Sequence, residues 1–141
     1  MTATPHDSHR AVAAPRTGER ATLTVPARSA YLGLVRTLVA SIAAAADFSV
    51  DDIEDLRMAA DEAAALLMSG AHPNALLTIA IEIEDTGLAL VVTAPSAGVT
   101  ISTDSFAWTV LSTLADTAEH TTQGDMTTIS VTKRRSDELP L

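Results

Sequence analysis

The chain has 141 residues, 47% of them hydrophobic and only 19% charged, the balance of a single domain that buries a core. No cysteine is present, which excludes disulfides, thiolate catalysis, iron–sulfur clusters and cysteine zinc sites. A net charge of −9 with 3% aromatic residues argues against nucleic acid and anionic membranes as partners and in favour of a basic protein partner.

Residues 1–20 mix His6, Asp7, His9, Arg10, Arg16, Glu19 and Arg20 with alanine and proline, and predict a flexible tail. No apolar block of the signal-peptide kind precedes the domain, and no run approaches a membrane span, so the expectation is a cytoplasmic protein. A first strand is predicted over Ala21 to Val25, ended by Pro26, which gives no ladder hydrogen bond. A helix follows from about Arg28 to Ala46, with Tyr31, Val35, Leu38 and Ile42 as its apolar stripe and Arg28 and Arg36 in solvent.

The next helix has the clearest start. Ser49 with Asp52 makes a capping-box-like opening, and Asp51, Asp52, Glu54 and Asp55 suit the positive end of the helix dipole. Ile53, Leu56, Ala60, Ala63 and Leu67 give its buried stripe, and Gly70 and Pro73 end it. Leu77, Ile79, Ile81 and Ile83 alternate with more polar residues as in a half-buried strand. Asp85-Thr86-Gly87 is turn chemistry, and Leu88 to Val92 completes an antiparallel hairpin. A loop is predicted over Pro95 to Thr103. A helix over Asp104 to Ala115 follows, with Ala107, Leu111 and Leu114 inward, then a last strand containing Ile129 and Val131. The residues from 135 onward read as a frayed tail. The expected fold is an α/β (α+β) two-layer sandwich over residues 21–134, with helices on one face of a mostly antiparallel sheet.

The polar residues offer little obvious catalysis. Asp61 and Glu62 border the core stripe of their helix. A solvated helix face is their plainer role, and a general base at the mouth of a cleft is the other. His6 and His9 sit in the tail, where nothing preorganises metal ligands, and His72 and His120 read as surface residues at element ends. The glycines form neither GxGxxG nor GxxxxGK[ST], and no GxSxG occurs. Two roles stay open for Phe106 and Trp108: core packing, or an aromatic anchor for a protein partner.

Three strings resemble the anti-sigma factor kinases, bacterial proteins with the GHKL (histidine-kinase-type) ATPase fold. They are Asp55-Leu56-Arg57-Met58-Ala59-Ala60-Asp61-Glu62-Ala63, Ser105-Phe106-Ala107-Trp108-Thr109-Val110-Leu111 with Leu114-Ala115-Asp116, and Met126-Thr127-Thr128-Ile129-Ser130-Val131. The resemblance implies that Glu62 stands at the position of the catalytic base. The magnesium-holding asparagine of that family is replaced by Leu66, which offers no oxygen to the metal. The Asp-x-Gly-x-Gly box corresponds to Ala94-Pro95-Ser96-Ala97-Gly98, which loses the adenine-binding aspartate at Ala94 and the first glycine at Ser96, and keeps Gly98. The second glycine box corresponds to Ser105-Phe106-Ala107, and Val99 to Asp104 leaves little length for an ATP lid.

By this resemblance the chain is expected to be an anti-sigma factor with a degenerate nucleotide site and no bound ATP, magnesium or other metal. Its expected partners are an RNA polymerase sigma factor, a STAS-type anti-anti-sigma factor and a second copy of itself. Arg36, which matches the family's partner-contacting arginine, and Arg28 are the expected contacts, with Phe106 and Trp108 filling the former nucleotide space. An active serine kinase using ATP and magnesium, and a binding module whose old cleft takes another ligand, are the alternatives.

Overall fold

A computed structural model describes residues 14–95 and 101–136. The chain runs β1 (Arg20–Pro26), one 3-10 turn (Ser29–Tyr31), α1 (Leu32–Ala45), α2 (Val50–Met68), β2 (Leu76–Ile83), β3 (Gly87–Pro95), α3 (Phe106–Leu114), β4 (Thr117–Gln123) and β5 (Met126–Arg134). Every strand pairing is antiparallel, in the order β1-β2-β3-β5-β4. The three helices cover one face of this sheet, and the core lies between the layers.

Period-two alternation builds that core. Leu77, Ile79, Ile81 and Ile83 of β2, Leu88, Leu90, Val92 and Ala94 of β3, and Ile129 and Val131 of β5 point into it. The helices answer with Val35, Val39 and Ala43 from α1, Leu56, Ala59, Ala60, Ala63, Ala64 and Leu67 from α2, and Trp108 and Leu111 from α3. The alanines of α2 let it pack closely against α1, α3 and the sheet at once. The other face of the sheet is polar. Thr24, Thr78, Thr93, Thr128 and Thr121 stand in one transverse row across all five strands. Hydroxyl contacts of 3.0 Å (Thr24–Thr78) and 3.1 Å (Thr93–Thr128) lie along that row.

Both ends of the α1–α2 connection are set by local chemistry. Asp47 has a positive φ of 65°, and the Phe48 and Asp47 N–H groups donate to the Ala43 and Ala44 carbonyls, the Schellman pattern that ends α1. Phe48 and Ala43 are both buried against that turn. The Ser49 hydroxyl then accepts from the Asp52 N–H at 3.1 Å, which starts α2 as its sequence predicts. Gly87 is the only residue that fits its site at the β2–β3 turn, because an added Cβ would lie 2.1 Å from the Lys133 carbonyl oxygen.

Four expectations need correction. The stretch after α3 holds a fifth strand, β4, which forms a hairpin with β5. His120 lies in the middle of that strand, half-buried, with its ring edge-on to Trp108 at 5.0 Å between centroids, and is not a surface residue at an element end. The inward face of α3 is led by Trp108 with the predicted Leu111, Leu114 is half-buried against the core as predicted, and Ala107 is only half-buried. Finally, Arg135 and Ser136 are pinned, not frayed. The Arg135 N–H donates to the Thr86 carbonyl at 2.8 Å, its guanidinium donates to the Asp85 carbonyl at 2.7 Å and lies over the Phe48 ring at 5.8 Å. The Ser136 N–H and hydroxyl donate to the Asp52 carboxylate at 2.8 and 2.9 Å.

Asp52 is therefore a buried charge with a full set of partners, as a buried charge requires. Burial alone would raise its carboxyl. The Ser136 N–H and hydroxyl, the Lys133 ammonium 3.7 Å away and Ser49 outweigh burial and hold it below the ordinary carboxylate value of 3.8. The Lys133 ammonium also reaches Asp55 at 3.4 Å and donates to the Leu114 carbonyl at 3.2 Å, so one side chain ties β5 to α2 and α3.

Candidate functional site

The first group of predicted residues lies on the outer side of the α1–α2 pair. Arg36 of α1 is not free in solvent. One of its guanidinium nitrogens donates to the Asp61 carboxylate of α2 at 2.6 Å, with the two side chains 40% and 35% exposed. One guanidinium nitrogen lies near Gly33, where an added methyl group would make only ordinary contact with it at 3.9 Å. A single short contact of this kind uses one of the five N–H donors of the fork and leaves the others to a partner. Arg28, just before the 3-10 turn, is exposed and has no carboxylate within salt-bridge distance among the described residues. Sequence spacing along one helix cannot reveal the Arg36–Asp61 pair, because the two residues meet only when two helices pack side by side.

The second group is what the resemblance placed around a nucleotide. Glu62 and Leu66 share a face of α2 and are both half-buried, with Leu66 packed against the core. No side-chain hydrogen bond or ion pair joins Glu62 to another described residue. Ala94 is fully buried in β3 and sits opposite Thr127 of β5, itself buried. The Thr127 hydroxyl meets the Thr122 hydroxyl of β4 at 3.1 Å.

Ser105 is the N-cap of α3. Its hydroxyl accepts from the Trp108 N–H at 3.2 Å, and its carbonyl accepts from the Thr109 N–H at 3.1 Å. A helix N-terminus attracts phosphate through its free N–H groups, and here the protein's own serine takes part of that role. The two aromatic candidates part company. Trp108 is 7% exposed and packs in the core against His120, whereas Phe106 is 83% exposed. Ala107 lies between them, half-buried. Ser96 and Gly98, like His6, Asp7 and His9, lie outside the described residues.

Among the described residues no group of three or more histidines and carboxylates gathers to hold a metal, and no helix is long and apolar enough to cross a membrane. Several surface cavities are lined by described residues. One of them, a groove of about 500 Å³, runs between Arg28 and the far end of α2.

No protein-family model matches the chain. Two curated relatives do, from two strains of Mycobacterium tuberculosis, both called anti-sigma-F factor RsbW. Each is 38% identical over 97 residues, which are 67% of this chain and 56% of the relative. The chain belongs to the RsbW family. It spans little more than half the length of these relatives. The fold agrees: a crystal structure of the RsbU and RsbW domains of an M. tuberculosis protein superposes with a TM-score of 0.70 at 16% identity, over 85% of this chain and 33% of that one. The layered α+β architecture is that of the GHKL-type RsbW domain. Within this RsbW fold, sequence reasoning missed Asp61 as the partner of Arg36 and His120 as the partner of Trp108. An isolated histidine in a polar, edge-strand sequence gives no periodic signal that would have placed it inward.

Proposed function

We propose that the chain is an anti-sigma factor that captures an RNA polymerase sigma factor by stoichiometric binding, and that it does so without ATP. The similarity to the RsbW relatives, named for their action on sigma-F, supports the choice of partner class. The observation that carries the ATP-independent part is the start of α3, where the protein's own serine takes part of the capping role. Ser105 caps the N-terminus and Trp108 fills the interior behind it. Two further replacements support it: Leu66 for a magnesium ligand and Ala94 for an adenine acceptor. Each removes a contact that ATP or its metal requires, and losses multiply in affinity because each 1.4 kcal/mol is tenfold.

The contact surface in this reading is the outer α1–α2 seam with Arg28 and Arg36. Release falls to a competing protein of the STAS type, and the working unit is a homodimer. The expected site is cytoplasmic, where sigma factors act. The test is capture of a purified sigma-F-type factor by the purified chain, with and without ATP and magnesium. Equal capture in both supports the proposal. Capture that needs ATP, or phosphorylation of a STAS-type protein that is lost in Glu62→Gln, restores the kinase reading.

A further inference from the structure

The two edges of the sheet differ. β1 forms one edge; it ends in Pro26 and opens on the Arg20–Glu82 ion pair. β4 forms the other. Its residues, Thr117 to Gln123, include no proline or lysine, the usual means of blocking an edge, and Glu119 is their only charge. β5 pairs with β4 on one side, so on the other side alternate N–H and carbonyl groups of β4 face outward. α3 covers the same end of the sheet, packs against α2 and β4, and holds no charged residue. Trp108 joins it to His120 of β4, while Phe106 is 83% exposed. Thr109, Ser112 and Thr113 are exposed on the same helix. At the corner between α3 and β4, the Asp116 carboxylate accepts from the Arg134 N–H at 2.6 Å. In a chain of net charge −9, α3 and β4 thus form an edge nearly free of charge, with one large aromatic ring in solvent.

We propose that this edge receives a second copy of the chain, β4 against β4 in antiparallel pairing, so that two five-stranded sheets join into one. Charge selects the occupant: two acidic copies repel over most of their surface, and least where both are neutral. Symmetry sets the register. Full overlap of β4 with itself about a two-fold axis places Glu119 opposite Thr121 of the second copy, Ala118 opposite Thr122, and His120 at the axis. This register keeps the two Glu119 carboxylates from facing each other directly. A strand of this length spans about 23 Å, and the sheet with its helix layer is about 20 Å deep, which gives about 450 Å² per copy. The total of about 900 Å² is below the standard interface, so the association is weak and reversible. Phe106 adds an apolar anchor to the strand pairing. The homodimer itself rests on the reading given under the proposed function; its surface, register and strength are added here.

The test is sedimentation equilibrium of the full chain from micromolar to near-millimolar concentration, at about pH 8, where imidazoles are neutral. Thr121 and Phe106 are both exposed, so their variants leave the core intact. Thr121→Glu sets two carboxylates opposite each other twice, once on each side of the axis, and is expected to weaken self-association about tenfold. Thr121→Lys faces Glu119 in the same two places and is expected to tighten it about threefold. Phe106→Asp, which leaves the strand untouched, is expected to weaken it about fivefold. All three variants are expected to melt with the unaltered chain when dilute. A chain that stays monomeric throughout overturns the homodimer and this surface with it. Self-association of equal strength in all four proteins overturns the surface alone, since the copies then meet elsewhere. Thr121→Glu and Thr121→Lys weakening it alike overturns the strand pairing, because only a paired Glu119 distinguishes the sign of the new charge.

Discussion

Arg36 and Asp61 show how a single contact divides stability from recognition. Half-exposed ion pairs contribute about 0–1 kcal/mol, so the pair does little to hold α1 against α2. In the proposed reading, by contrast, a partner meets a guanidinium already oriented by Asp61. The charge-swapped double variant Arg36→Glu with Asp61→Arg is therefore expected to melt within a few degrees of the unaltered chain and to lose sigma binding. Retained binding in a pull-down would remove Arg36 from the contact surface. Phe106 and Trp108 form a second contrast. Trp108→Ala removes a core indole and is expected to destabilise by about 3–5 kcal/mol, whereas Phe106→Ala changes a side chain in solvent and stays within about 0.5 kcal/mol. Urea unfolding curves measure both. Nothing at the level of single residues told these two apart in the sequence: they lie two positions apart on a short helix, and only the Ser105 cap fixes which face turns inward.

Elements were legible where an apolar period ran against a clear boundary. α2 follows directly from its alternating steps of three and four residues and from Ser49. The β2–β3 hairpin follows from Leu77 to Ile83 and the turn at Asp85 to Gly87. β4 did not, because Thr117–Gln123 is an edge strand with Ala118 as its one aliphatic residue, and its pairing with β5 supplies what its own pattern lacks. The end of α1 was read to within one residue, although its left-handed residue is Asp47 and not the usual glycine. That substitution leaves room for improvement. Asp47→Gly keeps the Schellman hydrogen bonds and removes a left-handed strain of about 1 kcal/mol, so the melting temperature is expected to rise by a few degrees. A fall in a thermal melt would show that the Asp47 side chain holds the turn.

The Asp52 junction belongs to the same scale, since it ties the end of β5 to the start of α2. Its carboxyl is held below the ordinary value, so its contribution to stability is complete above about pH 4 and is lost as the pH falls through the lower folded-state value. Asp52→Asn is expected to cost about 2 kcal/mol at neutral pH, the scale of lost charge-assisted hydrogen bonds, and to flatten the acid limb of the stability–pH profile. An unchanged acid limb in that variant would place the acid sensitivity elsewhere.

At the scale of the whole molecule, one sheet supports two different kinds of site. Its helix layer carries the cationic α1–α2 seam on the outside. Inside, Trp108 packs edge-on to His120, and Ala94 and Thr127 are buried opposite one another in the sheet. The sequence disclosed the second as a set of missing groups, since replaced ligands are visible in a single chain. It disclosed the first only in part, because a groove between elements distant in sequence exists only after packing. In the proposed reading, the family fold keeps a surface for a protein and has lost the contacts that hold a nucleotide.

That claim is tested most directly by titrating ATP with magnesium into the purified chain in a calorimeter, then titrating a sigma-F-type factor into the same sample. The account predicts no heat from the nucleotide and saturable binding of the sigma factor, with the same affinity whether or not ATP is present. Micromolar binding of ATP, or a sigma affinity that rises when ATP is added, would contradict it.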